Sequence, residues 1–166
     1  MPRSRSEKKR GNQSSKVPRN QVASQVIEGL IPYFVKKLFS IHTEVGVKHR
    51  GRLRADFLAI NMKRHIVICE VKSGWQDFAA DHKWQQYLLY SNKLYFAISE
   101  DFWTSHGAKI ADRVKGSGAG VIVCNGGSAR VVLPARFRYM DRSLRYWLIS
   151  KIAWIGGMSR ANRKNV

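Results

Sequence analysis

The sequence predicts an α/β fold, a mixed central sheet of about five strands with helices on both faces. Three observations carry that expectation. Short apolar runs of strand composition recur at 42–47, 55–60, 66–71, 94–98, 120–124 and 129–133. Segments whose apolar residues are spaced by three and four lie among them, at 20–39 and 142–155. The run Leu94 to Ile98, LYFAI, is uninterrupted and suits a central strand buried on both sides.

At 166 residues the chain is long enough for one well-buried domain and too short for two of ordinary size. Residues 1–19 carry seven Lys or Arg, one Glu and almost nothing apolar. Such a segment cannot bury enough surface to fold, and it reads as a disordered basic arm ahead of a domain at 20–157. No apolar stretch follows the arm, so it is not a secretory signal. Residues 158–166 form a second basic tail.

The first helix spans 20–39, with Val22, Val26, Leu30, Phe34 and Leu38 on its apolar face, Asn20 as N-cap and Pro32 as a kink or break. A strand at His42 to Val47 follows and carries Glu44. In KHRGRLR, residues Lys48, Arg50, Arg52 and Arg54 alternate, which suits a ribbon edge that presents one charged face to a phosphate backbone. A solvated edge strand protected by its charge is the competing reading.

Two apolar segments, Ala55 to Ile60 and Ile66 to Val71, flank the polar loop 61–65 and read as a hairpin. If Ile60 pairs with Ile66, then Leu58 faces Ile68 and Asp56 faces Glu70. Facing residues have β-carbons roughly 4.5–5.5 Å apart, and like charges so placed repel. A divalent cation offsets that repulsion, because carboxylates reaching inward from such a separation bind Mg²⁺ at about 2.0–2.1 Å. Lys72 lies on the same face, roughly 6.6 Å beyond Glu70. Its ammonium is placed to orient a water or offset charge on a phosphate. A surface hairpin with an ordinary Glu/Lys ladder is the alternative; against it, the charges end a stripe that is otherwise Leu and Ile.

Beyond the hairpin, Ser73 and Gln76 fit a capping box, and one helix is expected from Trp75 to Tyr90. Lys83, Gln86 and Tyr90 then share a stripe on it. A short helix at 106–115, a strand at 120–124, the turn Asn125-Gly126-Gly127 and a strand at 129–133 ended by Pro134 come next. Asp141 caps a last helix, Arg142 to Ile155, with Gly156-Gly157 as its stop. Tyr146 and Trp154 on its less apolar side are candidates for a homodimer or DNA contact, with ordinary packing as the bland account. That segment is too short and too charged to span a membrane.

The formal charge of +19 implies a polyanionic partner, with nucleic acid ahead of an anionic membrane. Cys69 and Cys124 fall inside apolar strands and read as buried small hydrophobes of a reduced, cytoplasmic protein. There is no internal repeat, no Gly-rich phosphate loop and no Cys/His zinc spacing.

An Asp, then 13 residues, then Glu-Val-Lys, here Asp56, Glu70, Val71 and Lys72, resembles the PD-(D/E)XK nuclease superfamily. The proline of that signature is absent, with Ala55 in its place. From Arg54 to Ile98, and more loosely over 22–138, the sequence is similar to the MmcB-like DNA repair proteins. The run DFxxDxKW, here Asp77, Phe78, Asp81, Lys83 and Trp84, makes that resemblance fairly specific.

The resemblance implies a restriction-endonuclease-like fold and a Mg²⁺-dependent deoxyribonuclease, with Mn²⁺ as a substitute. Asp56 and Glu70 would hold the metal, the Val71 carbonyl would add a ligand, and Lys72 would position the attacking water. Glu44 matches a family Glu and is the preferred third acid, with Glu28 on the first helix as the other choice. Gln86 and Tyr90 match a QxxxY motif of RecB-like branches that contacts DNA. Two other readings stand beside it: a non-catalytic DNA-binding module on the same fold, and a structural nucleic-acid protein of ribosomal type.

Overall fold

The computed structural model describes residues 18–163, so nearly all of the basic arm and the end of the tail lie outside the described residues. Within that range the chain forms β1 (Phe39–Gly46), β2 (Arg54–Asn61), β3 (Ile66–Lys72), β4 (Lys93–Ser99), β5 (Gly120–Asn125) and β6 (Ser128–Leu133). Its helices are α1 (Arg19–Val35), α2 (Trp75–Ala80), α3 (Glu100–Val114) and α4 (Arg142–Arg163), with a 3₁₀ helix at Trp84–Leu89.

The strands make one six-stranded sheet in chain order, one strand more than expected. β1, β2 and β3 form an antiparallel meander, β3, β4 and β5 run parallel, and β6 returns antiparallel. The mixed sheet reflects the connections. Two-residue and short loops join antiparallel neighbours, while parallel ones need crossovers, here α2 with the 3₁₀ helix and then α3. At the β5–β6 hairpin Asn125 pairs with Ser128, and Gly126 and Gly127 take φ of 51° and 86°, the left-handed pair such a tight turn requires.

Strand alternation splits the core into two layers. Phe57, Ala59, Val67, Cys69, Tyr95, Ala97 and Ile122 pack beneath α1 through Val26, Leu30 and Phe34. On the other face Leu58, Ile66, Ile68, Phe96 and Ile98 meet Phe78, Trp84 and Tyr87 and, from α4, Leu148 and Ile152. β3 is buried along its whole length, so any charge on it is held in the interior.

Several elements depart from the sequence reading. α1 begins at Arg19 without a side-chain cap and is not broken in two at Pro32, which lies in its last turn. Ser73 and Gln76 form no capping box; Asp77 instead accepts from the Ser73 N–H at 3.1 Å and its hydroxyl at 3.3 Å. The helix expected over 75–90 is two pieces, interrupted at Asp81, whose Oδ1 accepts from Lys83 N at 2.8 Å and Trp84 N at 3.2 Å. A side chain that takes the backbone donors of the next turn competes with helix continuation. α3 starts at Glu100, earlier than expected, because the Ser99 hydroxyl caps it at Phe102 N. α4 runs through Gly156-Gly157 instead of stopping there.

Candidate active site

The hairpin register is the one that alternation predicts: Ile60 pairs with Ile66, Leu58 with Ile68 and Phe57 with Cys69. Continuing it brings Asp56 opposite Glu70. Asp56 Oδ2 accepts from Val71 N at 2.9 Å, and Asp56 N reaches Glu70 Oε1 at 3.5 Å. Glu70 is only 5% exposed. Burial pushes its carboxyl up to about 8, the facing Asp56 adds to the rise, and Lys72 offsets part of it. Asp56 is raised as well, by burial first, against the Val71 N–H and the Lys72 charge.

Lys72, 6% exposed, donates through Nζ to Asp81 Oδ2 at 2.6 Å. Burial is the largest influence on this lysine and opposes its charge. The Asp81 hydrogen bond and charge, with Glu70 and Asp77, outweigh burial and leave the pKa raised. For Asp81 burial is again the largest influence, outweighed by the Lys72 and backbone hydrogen bonds, so its pKa is lowered. The pair is therefore ionised, and Lys72 is a fixed cation rather than a base.

Tyr87 completes the site. Its hydroxyl donates to the Arg54 carbonyl at 2.7 Å, and burial followed by the Glu70 and Asp56 charges pushes the phenol up. Asp56, Asp81, Tyr87, Lys83, Arg52 and Arg54 line an open hollow of about 530 Å³. A hollow of about 600 Å³ lies between the start of α2 and α3 and is lined by Asp77 and Asp101, neither of which faces a second acid across the hairpin. Asp56, which lines the first hollow and stands against the buried Glu70 behind it, marks that hollow, not the larger one, as the site.

The remaining sequence candidates divide. Glu44 falls across from Asp56, between the Thr43–Phe57 and Val45–Ala55 pairs, and its charge adds to the rise at Asp56. Its carboxylate, about half exposed, is tied to Arg54 Nε at 2.7 Å, on a backbone with φ of 55°. Glu28 is exposed on α1, across the sheet from Asp56 and Glu70. Lys48, Arg50 and Arg52 are exposed on a loop closed by Val47 N to Leu53 O, not on a ribbon edge, and Arg54 opens β2. The stripe of Lys83, Gln86 and Tyr90 does not form. Lys83 and Gln86 are exposed, Tyr90 is buried past the end of the 3₁₀ helix, and Tyr87 takes the inward position.

Sequence reasoning missed Tyr87, and it used Asp77 and Asp81 only as marks of resemblance. The sequence signal for Asp81 was that of a cap ahead of residues 83–84, and only the fold brings its second oxygen to Lys72. Among the described residues no group of three or more His, Cys, Asp or Glu is placed to hold a metal. The donors on offer are two facing carboxylates.

The pattern described as DNA repair protein MmcB-like matches residues 11–160. This chain belongs to the MmcB-like DNA repair protein family. A solved structure of a protein of unknown function from Silicibacter pomeroyi is 22% identical and superposes with a TM-score of 0.73, over 87% of this chain and 92% of that one. That likeness carries the fold: the mixed sheet and flanking helices of this MmcB-like chain recur there. No curated protein matches the chain.

Proposed function

We propose that this MmcB-like protein is a Mg²⁺-dependent nuclease that hydrolyses DNA phosphodiester bonds in DNA repair. The observation that carries this reading is Glu70, a carboxyl buried to 5% exposure and set against a second carboxyl, Asp56. Two acids so placed are destabilising when ionised, and a divalent cation relieves both the desolvation and the repulsion. Two carboxylates without a third acid suit Mg²⁺, which keeps several waters and takes substrate phosphate oxygens into its shell.

Asp56 and Glu70 would hold the ion, with the Val71 carbonyl as a further ligand. Bound Mg²⁺ supplies Lewis-acid polarisation of the scissile phosphate. Lys72, anchored by Asp81, holds a permanent positive charge beside Glu70, where it orients the attacking water and offsets negative charge on the phosphate. Asp81 fixes that ammonium, so the geometry needs no rearrangement as charge develops. Tyr87 and the β2 backbone wall one side of the hollow and limit water around the carboxylates. Arg52, Arg54 and Lys83 at the rim, with Lys48 and Arg50 on the adjoining loop, contact the DNA backbone and position it without reading sequence.

A panel of supercoiled, linear, single-stranded, flapped and four-way-junction DNA, incubated with Mg²⁺, Mn²⁺ or EDTA, tests the reading. Cutting is expected only with metal, and Lys72→Met and Asp56→Asn, with folding verified by circular dichroism, are expected to lose at least about a hundredfold in rate. Binding without cutting, equal for all three proteins, would instead establish a non-catalytic DNA-binding module.

A further inference from the structure

A second charged cluster lies at the far end of the same hairpin, about 17 Å along β2 from Asp56, counting five residues of strand. There the β2–β3 turn meets the loop before α4 and the first turn of that helix. Arg64 Nη1 donates to the Tyr146 hydroxyl at 3.2 Å, and the Arg64 and Arg142 guanidiniums lie 5.9 and 5.7 Å from the centroid of the same ring. Arg64, Arg142, Arg145, Met140 and Tyr146 line an open hollow of about 290 Å³.

Among the described residues no carboxylate stands within ion-pair distance of these three arginines. The nearest acid in sequence, Asp141, is engaged with Leu144 N. Arg145 Nη2 donates to the Met140 carbonyl at 3.5 Å, while its Nε is buried without a hydrogen-bond partner. Three guanidiniums brought together in this way repel one another, and a phosphate group bearing several acceptor oxygens relieves that repulsion.

Aromatic rings extend the cluster. His65 meets Phe137 edge-on at 5.1 Å, and Phe137 meets Tyr139 at 5.4 Å. Tyr139 is 92% exposed and Met62, on the neighbouring turn, 95%. A ring so exposed, linked through Phe137 and His65 to the turn that carries Arg64, offers a face to an unstacked base while arginines without a carboxylate partner hold its phosphates. Paired bases in a duplex keep their faces stacked and cannot use it.

We propose that Arg64, Arg142 and Arg145, with the rings of Tyr139, Phe137 and Tyr146, form a binding platform for single-stranded nucleic acid, separate from the carboxylate site. It stands whether or not that site cuts, since binding is read in EDTA. The test compares a labelled oligothymidine with a labelled duplex by fluorescence anisotropy, for the full chain, Tyr139→Ala, the Arg64→Ala/Arg142→Ala pair, and the charge-matched Lys36→Ala/Lys109→Ala pair on other surfaces.

Tyr139→Ala removes no charge and an almost fully exposed ring, so folding is not at risk. It is expected to weaken oligothymidine binding about tenfold while leaving duplex binding within about twofold. The arginine pair is expected to weaken oligothymidine binding well beyond the lysine pair. Equal losses for the two charge pairs, equal losses for both DNA forms, or no effect of Tyr139→Ala would each overturn the platform. So would variants that alter the sedimentation of the free protein, since a second copy of the chain would then occupy this face.

Discussion

Glu70 carries a measurable cost in the metal-free protein. An acid whose folded-state pKa lies above its unfolded value keeps a proton that the unfolded chain releases. Its stability contribution is therefore full below the ordinary glutamate value of 4.5 and is lost as pH rises toward about 8. Asp56, raised too, acts in the same direction. In EDTA the melting temperature is expected to fall between mildly acidic and alkaline pH. Glu70→Gln should flatten most of that fall and gain on the order of 3 kcal/mol at alkaline pH. A Glu70→Gln protein that tracks the parent across this range would mean that Glu70 is ionised without help and needs no cation. The facing of Asp56 and Glu70 was readable in the sequence because a two-residue period fixes which side chains share a face once one pair is aligned. The burial that raises Glu70 was readable only in outline, since it depends on Phe96 on the neighbouring strand and Tyr87 from the 3₁₀ helix, which other elements bring to it.

The strands could be located because apolar alternation is local, and helix breaks could not because they depend on side-chain competition. Trp75 and Phe78 before Asp81, and Trp84, Tyr87 and Leu88 after it, are each spaced by three or four, so the pattern conceals the break that the Asp81 carboxylate makes by accepting from Lys83 N and Trp84 N. The same break changes the phase of residues 84–89. In a 3₁₀ helix Trp84 and Tyr87 eclipse one another, which brings Tyr87 inward and leaves Gln86 in solvent. At the other end of the chain, Gly156-Gly157 looked like a stop, yet α4 continues through both because packing of Leu148 and Ile152 secures the preceding turns. A β-carbon at either glycine meets nothing within 4 Å. Gly156→Ala and Gly157→Ala are therefore expected to stabilise the protein by about 0.5–1 kcal/mol each, seen as a higher urea midpoint. A lowered midpoint would show that α4 ends before these residues.

At the scale of the whole molecule, the sheet divides its labour along the hairpin. The end formed by the start of β2 and the end of β3 gathers Asp56 and Asp81 around the buried Glu70 and Lys72, and the turn end gathers arginines. A charge of +19 makes DNA affinity strongly salt-dependent, with at least about a hundredfold loss expected between roughly 50 and 200 mM salt. Affinity that stays level over that range would contradict the electrostatic account of binding. Membership of the MmcB-like family fits such a partner, and among the described residues no helix is long and apolar enough to cross a membrane. The central claim is that Asp56 and Glu70 make one cation site, and thermal unfolding with and without Mg²⁺ tests it most directly. The parent protein is expected to melt higher in Mg²⁺ than in EDTA, whereas Asp56→Asn should melt above the parent in EDTA and gain nothing from Mg²⁺. Equal Mg²⁺ stabilisation of the two proteins, or none of either, would contradict the claim.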